Sequence, residues 1–224
     1  MVCLNQFVRR SSSAAAAASA ISSNLSKLPK PLRYAASAIV CAPVNAKEFK
    51  VLMLKRNSRG TFGSLHVFPG GMVDAVDSSP EWQTEQEKAA SLNLSYFIAA
   101  IRETFEESGV LLTQPAPQMS SADLHAWRKK VHSDPRLFIE FCKAANIRPD
   151  VQGLIHWSNW ITPPVEVSRF DTHFFLTVLN ESHADTQCDG VETLELEWLT
   201  PQQAVDAFER GILYTPRALS SRNV

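Results

Sequence analysis

The sequence predicts an α/β fold around one core, and three observations carry that prediction. Strand-like runs precede and follow a long amphipathic helix. Further helical stretches alternate with strands along the second half of the chain. The 224 residues, 45% of them apolar, are enough to bury a core unaided.

Taken in order, Met1 to about Ser26 is rich in Ser and Ala, carries Arg9 and Arg10, and has no acid. That is the composition of a mitochondrial transit peptide, so residues 1–30 are expected to be a leader and the expected location is mitochondrial. The simpler alternative is a low-complexity leader with no address. Pro29 and Pro31 form a stiff hinge before a domain expected over residues 33–216, with 217–224 as a tail. Arg33–Ala42 and Phe49–Lys55 read as the first two strands, joined by a polar turn. A basic loop, Arg56-Asn57-Ser58-Arg59-Gly60, follows.

Residues 78–94 read as an insertion, with Ser79-Pro80-Glu81 a plausible helix start because proline suits the first helical position. Leu94–Ser108 reads as a helix whose apolar stripe is Phe97, Ile98, Ile101 and Phe105. Two more helices, from Ser121 to about His132 and from Asp134-Pro135-Arg136 to Ala145, form a helical extension over 120–146, with Leu137, Phe138 and Phe141 turned inward. Leu154–Ile161 alternates apolar and polar residues and reads as a strand, with at least one of Trp157 and Trp160 expected in the core and stacking on an adenine ring the alternative. His156 and His173, on strands, read as structural histidines. Val191–Leu199 is the last strand and Pro201–Arg210 the last helix.

Composition excludes several classes. No run approaches the 18 or more apolar residues of a membrane-spanning helix, so no integral membrane segment is expected. Cys3, Cys41, Cys142 and Cys188 are scattered, which argues against a zinc site or a disulfide scaffold. Six basic residues and no acid precede Glu48, leaving 16 of the 22 basic residues against all 23 acids, a net of −7. Such a body is not a nucleic-acid surface. An anionic small molecule would need local metal or local cations to be held. Nothing in the sequence addresses oligomeric state.

The chemistry concentrates in two stretches. Phe68-Pro69-Gly70-Gly71 is a turn in which backbone approaches its neighbours closely, followed by Asp74 and Asp77. Arg102-Glu103-Thr104-Phe105-Glu106-Glu107-Ser108-Gly109-Val110 closes the long helix. There Glu103, Glu106 and Glu107, at i, i+3 and i+4, share one face. Like charges at those spacings cost about 0.2–0.5 kcal/mol per pair. An i,i+4 pair of Arg102 with Glu106 offsets part of that, and a hard divalent cation with oxygen ligands fits the remainder. Without the glycine turn, the same triplet would read as a solvated acidic face.

At these residues the sequence resembles the Nudix hydrolases. Their signature is a glycine, five residues, an acid, seven residues, then Arg-Glu-U-x-Glu-Glu-x-Gly-U, where U is apolar. Gly71 is followed after five residues by Asp77, and Arg102–Val110 supplies the second half. Asp77 stands where glutamate is usual, Thr104 is a weak U residue, and 24 residues (78–101) replace the seven. A box split by an insertion resembles the acyl-coenzyme A diphosphatase branch of the family. Gly70-Gly71-Met72-Val73-Asp74-Ala75-Val76-Asp77 looks like the coenzyme A-type loop. The stretch Leu154–Ile161, with Thr162-Pro163 and Arg169–Leu176, resembles that branch too.

The resemblance implies an α/β/α sandwich with a mixed sheet. It implies Mg²⁺- or Mn²⁺-dependent hydrolysis of the diphosphate in coenzyme A or an acyl-coenzyme A, a small-molecule substrate, to 3′,5′-ADP and (acyl-)4′-phosphopantetheine. The implied metal ligands are Glu103, Glu106, Glu107 and the Gly70 carbonyl. Glu107 or Glu192 would take the proton of the attacking water, with Glu195 a second candidate beside Glu192. Arg102 would orient the glutamates. Arg56, Arg59, His66 and Gly71, with Lys55, would meet the substrate. The alternatives are a Nudix enzyme for another diphosphate, such as ADP-ribose or a dinucleotide, and a binding module that keeps the fold without turnover. The branch continues past Pro216 and can end in a peroxisomal address; Ser221-Arg222-Asn223-Val224 is not one, and a shortened C-terminus is a further expectation.

Overall fold

The computed structural model describes residues 31–57, 65–82, 93–166, 168–179 and 193–213. The leader, Arg59, most of the insertion and Glu192 lie outside them.

The first two strands are longer than their apolar cores. β1 (Arg33–Asn45) and β2 (Glu48–Arg56) form an antiparallel hairpin whose exposed ends extend the ladder into the turn. β3 (His66–Val67) pairs with β2, and β4 (Gly70–Met72) pairs with β1. The box helix α1 spans Leu94–Ser108. It starts at Asn93, whose side chain accepts from the Ser95 N–H, and stops at Gly109, whose φ of 76° only glycine adopts readily.

β5 (Thr113–Gln114) pairs with β6 (Arg148–Pro149) in a small separate sheet. Between them lie α2 (Ser121–Ser133) and α3 (Leu137–Ala145). β7 (Ile155–Ile161), β8 (Phe170–Val178), β9 (Thr193–Leu199) and α4 (Pro201–Glu209) complete the order. The main sheet runs β3-β2-β1-β8-β7, with β4 added on β1 and β9 on β2. It is mixed because β1 and β8 are parallel.

α1 crosses one face of this sheet. Ala36, Ala38 and Val40 of β1 are buried beneath it, and the two alanines let the helix approach closely. Phe97 meets Phe175 of β8, with ring centroids 4.4 Å apart. Towards α3, Phe105 stacks on Phe141 at 5.0 Å, with Phe138 beside them. The box helix is therefore packed between the sheet and the helical extension. In the connection between β7 and β8, Arg169 Nε donates to the Thr162 carbonyl at 3.2 Å.

β7 differs from its sequence-based expectation. Both tryptophans are exposed, Trp157 at 65% and Trp160 at 40%, as are Ile155 and Ile161. β7 ends the strand order and packs chiefly against β8, so its faces are left uncovered, and a bulge between His156 and Ser158 interrupts its alternation. No described helix is long and apolar enough to cross a membrane.

Candidate active site

The site forms where the glycine turn of β4 meets the C-terminal half of α1. Its centre is Arg102, whose side chain is 2% exposed. Nε and Nη2 donate to the two carboxylate oxygens of Asp77 at 2.8 and 2.9 Å. Nη1 donates to Glu103 Oε1 at 3.0 Å and to Glu106 Oε1 at 2.7 Å, and Nη2 also reaches the Met72 carbonyl at 3.1 Å. A guanidinium has five N–H donors in a rigid fork, and all five are used here. Burial alone would lower the Arg102 pKa; the bond from Asp77 and the field of Glu103 more than reverse that, so the charge is permanent.

Asp77 is held in turn. The Asp74 N–H donates to Asp77 Oδ2 at 2.8 Å, and Asp74 accepts from the Val76 N–H, closing a capping box on a short 3-10 turn. Burial raises the Asp77 pKa, with Arg102 opposing. The pairing spans 25 residues, so the insertion leaves both halves of the box in register.

Each glutamate has a different seat. Glu103 lies over Gly71: a Cβ built there would fall 2.5 Å from the Glu103 carboxyl carbon. Any side chain at 71 would displace it. Burial pushes the Glu103 carboxyl up to about 7, Arg102 opposing and Glu106 adding. Glu106 gives Oε1 to Arg102, and its Oε2 lies 3.8 Å from His132 Nδ1 on α2. Glu107 Oε2 accepts from the Gly70 N–H at 2.8 Å, and its Oε1 from Arg56 Nη1 at 3.3 Å. Gly70 is itself pressed on β1, where a Cβ would sit 2.4 Å from the Ala36 carbonyl oxygen.

The donor set suits a hard dication. Among the ion pairs around Arg102 and Arg56, four carboxyl groups (Asp77, Glu103, Glu106, Glu107) meet two guanidinium groups, an excess of acid in which burial leaves Glu103 holding its proton up to about 7. Glu103 Oε2 accepts no hydrogen bond from a described residue. As they stand, no three acidic, histidine or cysteine side chains among the described residues converge on one point. The oxygen chemistry and the excess of acid fit a hard divalent cation.

Other expected site residues fall differently. Arg102 is walled in by carboxylates, so it positions them and does not face substrate. Gly71 lies beneath Glu103, where the lack of a side chain leaves room for that carboxylate. His66, expected to grip phosphate, is a buried strand residue, 5% exposed on β3 and paired with Lys55 of β2. Arg56 is at the site, 24% exposed and bonded to Glu107. Lys55 instead pairs with Glu195 at 2.9 Å on the outer sheet. Arg59 and Glu192 lie outside the described residues. His156 Nε2 and His173 Nδ1 are 2.9 Å apart, and the His173 ring packs on Tyr96. Burial pushes the Cys142 thiol up to about 12 and raises that of Cys41, so neither is a nucleophile. One contact at the site had no sequence signal: Arg128 of α2, 6% exposed, donates through Nε to the Glu106 carbonyl at 2.9 Å.

Residues 83–218 match the model of the NUDT19 Nudix domain family. The chain is 32% identical over 221 residues to a protein of Xenopus laevis named acyl-coenzyme A diphosphatase NUDT19, covering 77% of this chain and 58% of that one. It is 31% identical to the Gallus gallus protein of the same name, covering 75% of this chain and 58% of that one. It thus spans 58% of the length of these two relatives. Among solved structures, a NUDIX hydrolase from Alicyclobacillus acidocaldarius superimposes with a TM-score of 0.70 at 22% identity, over 84% of this chain and 87% of that one, a likeness of fold.

Proposed function

The chain belongs to the NUDT19 Nudix domain family, and from that premise we propose that it hydrolyses the diphosphate of coenzyme A or an acyl-coenzyme A. The products are 3′,5′-ADP and (acyl-)4′-phosphopantetheine. The observation that carries this reading is the excess of buried carboxylate on one helix face, seated by Gly70, Gly71 and Arg102. The names of the Xenopus laevis and Gallus gallus relatives support the substrate.

Glu103, Glu106 and Glu107, with the Gly70 carbonyl, would hold Mg²⁺ or Mn²⁺. Bound there, the ion neutralises diphosphate charge and acts as a Lewis acid. The protein's own part is positional. Arg102 and Gly71 fix where Glu103 and Glu106 point, and the Gly70 N–H fixes Glu107. Arg56, at the edge of the site, is placed to meet a phosphate oxygen with a charge-assisted bond. A carboxylate accepts the proton of the attacking water as the bridging P–O bond breaks; Glu107 is the candidate among the described residues. The acid-free, basic leader supports a mitochondrial address, which imaging of a full-length fusion with a C-terminal fluorescent protein would test.

The test is product release from coenzyme A, an acyl-coenzyme A and ADP-ribose, each with Mg²⁺ or Mn²⁺ and again with chelator. Chelator-sensitive 3′,5′-ADP from the first two is expected. Turnover of ADP-ribose alone would remove the proposed substrate and keep the chemistry.

A further inference from the structure

The last turn of a helix leaves four carbonyls without intrahelical partners, at the negative end of the dipole. In α1 that turn carries Glu106 and Glu107. The Gly109 N–H takes the Phe105 carbonyl at 2.9 Å. The Glu106 carbonyl is taken by Arg128 Nε, from a buried guanidinium on a different helix. The guanidinium lies against Gly109, where a Cβ would meet Arg128 Nη1 at an ordinary contact of 3.4 Å; the glycine is needed for its φ of 76°. One turn further along α2, His132 Nδ1 stands 3.8 Å from Glu106 Oε2, the oxygen Arg102 leaves. Glu106 is thus approached at three atoms, two of them from α2.

We propose that Arg128 and His132 are positioning residues for the box-helix carboxylates, making the helical extension part of the site's machinery. The inference rests on the reading of these carboxylates as a metal site. Packing alone explains Phe138 and Phe141 but not Arg128. Burying a guanidinium is costly unless its bonds compensate, and here a bond falls on the backbone of a candidate ligand. Fixing that carbonyl fixes the rotation of the last turn, and with it the directions of Glu106 and Glu107.

The test measures Mn²⁺ affinity from the free-ion electron paramagnetic resonance signal, which needs no turnover, beside steady-state kinetics. Arg128→Ala is expected to weaken Mn²⁺ binding and kcat by about 10–100-fold, the usual cost of losing a residue that orients a metal ligand. The substrate KM should change little. Arg128→Lys should recover part of the loss. His132→Ala, at a side chain 27% exposed and so expected to fold, should lose a smaller factor. Lys129→Ala, exposed on the same helix, should match wild type. Wild-type Mn²⁺ affinity in folded Arg128→Ala and His132→Ala would overturn the proposal. If Arg128→Ala does not fold, wild-type affinity in both Arg128→Lys and His132→Ala overturns it. A wild-type chain that binds Mn²⁺ but cleaves no diphosphate defeats the proposed function alone, and the variants' affinities still decide the positioning role. A wild-type chain that binds no Mn²⁺ defeats both.

Discussion

Two arginines meet the carboxylates of the box helix, and they do so in opposite ways. Arg102 is sealed at 2% exposure and spends all five donors, on Asp77, Glu103, Glu106 and the Met72 carbonyl. Arg56 is 24% exposed at the end of β2 and reaches Glu107 at 3.3 Å. The first arrangement leaves nothing for a substrate and determines where two glutamates point. The second holds a guanidinium at the partly exposed rim of the same carboxylates. Charge type is the same in both; burial separates the two settings.

The sharpest way to break this comparison is to remove Arg102. Arg102→Ala leaves Asp77 buried without its partner, and removing one member of a buried pair typically costs about 3–5 kcal/mol. The expected outcome is a large loss of stability in chemical denaturation together with lost activity. Arg102→Lys keeps the charge but not the fork and should fall short of wild type in both. A stable, active Arg102→Ala protein would contradict the architectural role.

Glu107→Gln should separate the two properties. It keeps the shape beside Gly70 and removes the charge, so activity should fall by about 100-fold or more while the melting temperature stays near wild type. Unchanged turnover would remove Glu107 from the metal set.

Metal and pH test the excess of acid. A divalent cation at about 100 times its Kd should stabilise the fold by about 2.7 kcal/mol. Without metal, folded Glu103 keeps a proton up to about pH 7 that the unfolded chain gives up near its ordinary value of 4.5. The unfolded state therefore binds fewer protons across that window, and metal-free stability should fall as pH rises through it. Stabilisation by a fixed metal concentration should grow from pH 6 to pH 8, because at pH 6 the ion must displace that proton. Thermal melts at both pH values, with metal and with chelator, check both signs.

Arg56→Ala should raise the KM of the diphosphate substrate about 10-fold, the scale of one charge-assisted bond, with little change in stability. Equal loss of kcat with KM unchanged would move Arg56 to the architectural side. The smallest effect belongs to β7: Trp157→Ala, at a side chain 65% exposed, should change stability by about 0.5 kcal/mol or less in a denaturant titration.

Local chemistry was legible in the sequence and distant geometry was not. The i,i+4 pair of Arg102 with Glu106, the stop at Gly109 and the shared face of the three glutamates follow from helical spacing, and the resemblance joined Asp77 to that helix. Burial was harder to read. His66 reads as part of a basic loop, but it stands buried on β3 opposite Lys55. The tryptophans of β7 alternate like a half-buried strand, but strand order puts them at an edge. Arg128 belongs to no motif. Its role depends on α2 crossing the end of α1, a relation that no residue spacing encodes.

The most direct test of the central claim is a metal titration of 3′,5′-ADP release from coenzyme A by the wild-type chain and by Glu107→Gln, in one assay with a chelator control. Saturable, chelator-reversible release by the wild type, lost in the variant at every metal concentration, is the predicted result. Release that persists with chelator, or that Glu107→Gln carries out as fast as wild type, would contradict a metal held on this face of the box helix.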